Sequence, residues 1–220
     1  FSLRLFSLIG GCFFLIVSLM ISPPAQSRDD TFEYELDGYP RSVEPAGRLE
    51  CPDVPLIKYK GSRIPFSQSA HVHPDFAERL EQFEQVVAEA AVAIYGREPV
   101  RIIQKGSYSC RRIRSIPTLI SEHGLGNAID VYGFEFGPLE EGEELPEGLP
   151  KKFERPFKVN LLKHWIPKTE NAMHHSRFLR LLADNLVLRK DIFRVLLGPA
   201  YPGHKNHFHF DCANYRLISI

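Results

Sequence analysis

Between residues 74 and 96 the chain places Phe76, Leu80, Phe83, Val87, Ala90 and Ile94 at steps of three and four, the spacing of one helix face. Pro74 suits the first turn of that helix and Gly96 its stop. Residues 100–105 are β-branched enough for a strand that ends at Gly106, and residues 128–136 also read as extended. Phe157, Val159 and Leu161 alternate with Lys158 and Asn160, which predicts a further strand. Helical spacing returns over 173–188 through Phe178, Leu181, Leu182 and Leu186, and a short helix is expected from Asp191 to just before Gly198-Pro199. Residues 207–213 alternate polar and apolar side chains. Helices and strands mix without regular βαβ spacing, so the expected class is α+β, with a small, mainly antiparallel sheet and flanking helices.

The N-terminal pattern is different. Arg4 precedes an apolar run from Phe6 to Ile21, followed by a small-x-small end at Ala25 and Ser27. Residues 1–27 therefore read as a secretory signal peptide, with a retained N-terminal anchor as the alternative. Lipidation at Cys12, after Leu8-Ile9-Gly10-Gly11, fits less well because the apolar run continues past that cysteine. Each reading exports the folded part of the chain. Residues 28–50 are polar, acidic and turn-rich and read as a tether, leaving 51–220 as one domain. Lys plus Arg and Asp plus Glu number 27 each, so no basic bias supports nucleic-acid binding. The acidic run 140–144 fits no cation loop and reads as solvated. Past the leader stand Cys51, Cys110 and Cys212. An oxidising compartment favours one disulfide among them. Cys51 with Cys110 is the preferred pair, although connectivity stays open.

Two stretches carry candidate chemistry. Ser121-Glu122-His123-Gly124-Leu125-Gly126-Asn127-Ala128-Ile129-Asp130 sets a histidine and an aspartate seven apart across two glycines. His204-Lys205-Asn206-His207-Phe208-His209-Phe210-Asp211 packs three imidazoles into six positions. On an extended segment His207, His209 and Asp211 share one side, with Phe208, Phe210 and Cys212 on the other. Neutral imidazole nitrogen and carboxylate oxygen are the donors Zn²⁺ takes in open sites. The assignment is His123, Asp130 and His209 as ligands, with Asp211 orienting a ligating imidazole. A surface loop with unrelated histidines is the competing reading. His71 and His73 lie just before a helix start, where capping and exposure suffice; His174-His175 and His164 are read as equally ordinary. Trp165 would line a cleft or fill the core. No G-x-S-x-G elbow is present.

Ser121, His123, Gly126, Ala128 and Asp130 fill the pattern S-x-H-x-x-G-x-A-x-D, and His204, His207 and His209 fill H-x-x-H-x-H. In these residues the chain resembles the D-alanyl-D-alanine carboxypeptidase, lysostaphin and hedgehog superfamily of zinc peptidases. Within it, Tyr108-Ser109-Cys110-Arg111, Phe178-Leu179-Arg180, Phe193 and Leu197-Gly198-Pro199 resemble the bacterial extensin-like C-terminal domain family. That pattern often has a cysteine where this chain has Lys190. The resemblance implies a hedgehog/D-Ala-D-Ala peptidase-like fold holding Zn²⁺ on His123, Asp130 and His209. It further implies His204 or His207 as the base, Arg111 as the oxyanion cation, and hydrolysis of amide bonds in peptidoglycan peptides outside the cytoplasm. A free carboxylate on the substrate would be read by Arg112 or Arg114. The alternative is a non-catalytic zinc-containing module that binds cell wall or protein.

Overall fold

The computed structural model describes residues 34–220; the leader and the first residues of the tether lie outside them. Two short strands, β1 (Ile57–Tyr59) and β2 (Ala70–Val72), precede α1 (Pro74–Tyr95). Next come β3 (Arg101–Gly106), the hairpin β4 (Arg112–Ile113) and β5 (Ile116–Ile120), β6 (Ala128–Phe136) and β7 (Phe157–Asn160). Then come α2 (Leu161–His164), α3 (Glu170–Leu188), β8 (Val195–Leu197), β9 (Phe208–Asp211) and β10 (Leu217–Ser219). This is an α+β fold. Its main sheet runs β10-β8-β9-β6-β3, with β7 also on β6, and every pairing is antiparallel except β10 with β8.

The central strand is β6. Its first half pairs with β9 and its second half with β7, while β3 runs along its other edge. Phe83 meets Phe193 and Phe210, and Tyr95 meets Phe136, Phe157 and Phe178, so α1 and α3 cover one face of the sheet with a largely aromatic core. The apolar face anticipated for α1 is buried through Phe76, Leu80, Phe83, Val87 and Ala90. His73 caps this helix by accepting from the Asp75 amide, and Gly96 ends it in the left-handed region. Among the described residues, no helix is long and apolar enough to cross a membrane.

Three expectations are corrected. Residues 34–50 do not form a tether set apart from the domain: Tyr34 and Leu36 are buried in the core, and Ser42 bridges to Leu119. Acidic neighbours make the segment polar when read as a whole, but two well-placed apolar side chains suffice to anchor it. The helix expected from Asp191 is a turn followed by β8; Val195, Leu196 and Leu197 are all buried between β9 and β10. A short continuous apolar run has no period that distinguishes the two forms. Finally, the third predicted strand stops at Asn160, whose side chain accepts from the Lys163 amide and starts α2 at Leu161.

Away from the sheet's polar face, His164 and His175 lie 4.4 Å apart by ring centroid, and His175 Nδ1 is 2.8 Å from the Tyr95 hydroxyl. Burial, reinforced by His164, Lys152 and His174, pushes the His175 imidazole down to about 3. It is therefore neutral in the fold but binds a proton near pH 6.5 when unfolded. Stability is full above the unfolded value and drains away as pH falls towards the folded one. Wild-type protein should lose about 2 kcal/mol through this group between pH 7.5 and pH 5. Urea titrations at both pH values check this: His175→Gln should flatten the slope, and an unchanged slope would refute the assignment.

Candidate metal centre

Each of the three proposed ligands reaches the same point by a different structural device. Ser121 opens a 3₁₀ turn, Glu122–Leu125, by accepting from the His123 amide, and Gly126 closes it at φ 64°. A side chain at Gly126 would also strike Leu56 and the backbone of His73, so glycine is required there on two counts. The chain then enters β6, which carries Asp130. On β9, His209 is the register partner of Asp130. On the other side, Gly106 of β3 lies opposite Asp130, and a Cβ there would sit 2.3 Å from Asp130 Oδ2. Gly124 makes room for the Cys51–Cys110 disulfide, since its Cβ would lie 3.0 Å from Cys51 Sγ.

The first motif is tied to residues 34–41 by a buried polar network. Arg41 pairs with Glu122 at 2.9 Å, Glu122 accepts from the Asn127 side-chain amide, and Asn127 Oδ1 accepts from the Tyr34 hydroxyl. These partners explain Glu122 and Asn127 as supports of the turn.

His123 Nε2, Asp130 Oδ1 and His209 Nδ1 face one another. Separations are 3.2 Å between the two nitrogens, 3.3 Å from His123 to Asp130 and 3.0 Å from His209 to Asp130. One ligand atom from each residue lies within 4.8 Å of the others, which makes this a geometrically plausible metal group. Four ligands at the 2.0–2.1 Å usual for zinc, arranged as a tetrahedron, stand about 3.3 Å apart. The fit is close. Moreover, His123 Nδ1–H donates to the Ser107 carbonyl at 2.5 Å, and His209 Nε2–H donates to Asp211 Oδ2 at 2.7 Å. Those bonds fix the tautomers and leave both remaining lone pairs turned towards the carboxylate. Asp211 thus orients His209, as anticipated.

Three acceptors in such proximity need a cation or a shared proton between them. Burial raises the Asp130 carboxyl, but the imidazoles of His123 and His209 outweigh it and hold the group well below the usual carboxylate range. Burial likewise lowers His209, yet hydrogen bonds to Asp130 and Asp211 prevail and lift it to about 9.

Beside the triad, His204 donates through Nδ1 to the Pro202 carbonyl at 3.0 Å, leaving Nε2 open; its ring is 5.8 Å from His209. His207 Nε2 is 3.7 Å from Asp130 Oδ1, outside the triad's closest spacing, and its ring stacks on Tyr132 at 5.0 Å. Burial lowers both imidazoles, His207 to about 4 despite the opposing charge of Asp130. Arg111 is exposed, and its side chain has no ion pair or hydrogen bond among the described residues; its backbone carbonyl accepts from the Ser121 amide at 2.9 Å. Arg112 is spent on the carbonyls of Glu44 and Ala46. Trp165 belongs to the core, edge-on to Phe208 at 5.6 Å. Sequence reasoning missed Gly106 and Ser107, the one clearing space for Asp130 and the other fixing His123; a strand-ending glycine was the only local signal.

Fold and site together define an α+β domain with a histidine–aspartate–histidine group whose ligand atoms lie close enough together to hold a metal ion. The chain belongs to the family described as extensin-like protein C-terminus, whose match covers residues 33–146, more than half of its length. That stretch contains Cys51, Cys110, His123 and Asp130 and ends before His204, His207 and His209. No curated protein and no solved structure matches the chain.

Proposed function

We propose that this protein is a zinc-dependent peptidase that hydrolyses an amide bond in peptidoglycan stem peptides or cross-links. The observation that carries the reading is the triad: three lone-pair-bearing atoms 3.0–3.3 Å apart, with the far nitrogen of each imidazole pinned by an acceptor. His123, Asp130 and His209 would hold Zn²⁺. When bound, zinc supplies a Lewis acid that polarises a carbonyl and brings the pKa of a water towards about 7.

The chain's own residues do the rest. His204 presents an unengaged Nε2 next to His209, positioned to take a proton from the attacking water and return it to the leaving amine. His207, with Nδ1 donating to the Asn206 side chain at 2.9 Å, is the second candidate for that task. Arg111 has no carboxylate partner among the described residues and is a cation that could oppose oxyanion charge. The Cys51–Cys110 disulfide supports export to a periplasmic or extracellular, oxidising location, with or without an N-terminal anchor.

The test incubates zinc-loaded protein with cross-linked and pentapeptide muropeptides and measures new amine ends. Wild-type protein should release them. His204→Ala should keep its zinc and lose about 10²–10⁴-fold in rate, whereas His209→Ala should lose both. Zinc-loaded wild-type protein that releases no amines would instead make this a zinc-containing binding module.

A further inference from the structure

The β3–β6 pairing carries two irregularities immediately beside the triad. Ile103 pairs with Gly133 but Gln104 pairs with Val131, which leaves Tyr132 without a partner on β3. Gly106 then pairs with Asp130, which leaves Lys105 without a partner on β6. These are two compensating bulges, one residue on each strand. Their effect on side-chain direction is visible along β6. Ile129 and Val131 enter the core, and so do Phe134 and Phe136, so the alternation changes phase across Tyr132–Gly133. The extra residue is what lets Tyr132 join Asp130 on the polar face while both aromatic residues beyond it remain buried.

Tyr132 uses that position to stack on His207, with the rings 14° from parallel. Lys105 places its ammonium 4.9 Å from the centre of the Tyr132 ring. Lys105 is exposed and has no carboxylate partner among the described residues, so it offers a cation held in place by a ring and open to a ligand. Asp130, the carboxylate of the triad, is already engaged by His123 and His209.

We propose that Lys105 and Tyr132 form a specificity subsite for a carboxylate on the peptide substrate, on the His207 side of the triad. The inference rests on the peptidase reading and sharpens it: the preferred substrate carries a free carboxylate beside the bond to be cut. Lys105 is a specificity-determining residue and takes no part in proton transfer. Tyr132 positions both Lys105 and His207.

The experiment compares a stem pentapeptide ending in D-alanyl-D-alanine with the same peptide as its C-terminal amide. Zinc-loaded wild-type protein should prefer the acid in kcat/KM. Lys105→Met should reduce that acid-over-amide preference about tenfold, the scale of one charge-assisted contact, mainly through KM for the acid. Lys105→Arg should restore most of it, a rescue that a packing role for the lysine stem would not show. Equal losses on acid and amide, or no loss on either, would overturn the subsite. If wild-type protein cleaves neither peptide and also releases no amines from cross-linked muropeptides, the peptidase reading fails on its own account. Calorimetric titration of both peptides into wild-type and Lys105→Met protein then decides the subsite. An acid preference in Kd that vanishes with Lys105 upholds it; a preference unaffected by the substitution, or none in wild-type protein, overturns it.

Discussion

Protein carrying Asp130→Ala is expected to emerge from dialysis without zinc, while wild-type protein retains about one ion per chain. Asp130 Oδ1 is the atom shared by the two shortest charged contacts of the triad, 3.0 Å from His209 and 3.3 Å from His123. Removing it deletes the anionic ligand and leaves two imidazole lone pairs facing each other. The loss of affinity should exceed the roughly 10–100-fold that accompanies removal of an outer hydrogen-bond partner, and Asp211→Asn should show that smaller loss. Gly106→Ala should resemble Asp130→Ala although no ligand is replaced, because the new methyl would overlap Asp130 Oδ2. Elemental analysis after dialysis, with circular dichroism to verify folding, reads all three. Full zinc retention by folded Asp130→Ala protein would remove the metal centre from consideration.

The second large effect concerns stability. Cys51 and Cys110 are joined across a sequence separation of 59, and the chain-entropy model assigns such a loop about 4 kcal/mol. The bond also touches the site. Gly124 packs against Cys51 Sγ, and the Ser109 amide, next to Cys110, donates to the His123 carbonyl at 2.9 Å. Reduction should therefore lower the urea midpoint substantially and weaken zinc binding together with it, since the turn that presents His123 is released. Unfolding curves of wild-type protein and of a Cys51→Ala, Cys110→Ala double variant give the first quantity, and zinc titration gives the second. A stability change below about 1 kcal/mol would show that the surrounding hydrogen bonds, such as Ser121 N to Arg111 O at 2.9 Å, hold the loop unaided.

Much of this architecture is local and was legible in the chain itself. Phe76 to Ile94 at helical spacing, closed by Pro74 and Gly96, specify α1 because one buried face needs only residues within a few turns of one another. The motif from Ser121 to Asp130 is also local: a capping serine, a left-handed glycine and an extended exit are consequences of neighbouring residues. The preferred cysteine pair formed as expected.

What only the tertiary structure decided is which distant groups meet. Nine histidines are spread along the chain; the two motifs nominate His123 and His209, but only the fold places them 3.2 Å apart and packs His175 against Tyr95. That depends on Asp130 falling opposite His209 and Gly106 in strand register, and register is set by burial summed over whole strands. Tyr34 and Leu36 belong to the core, and Tyr132 and Lys105 reach the polar face, for the same reason: their positions are fixed by contacts with residues far away in sequence. Local periodicity carries the elements; the site is a product of how those elements pack.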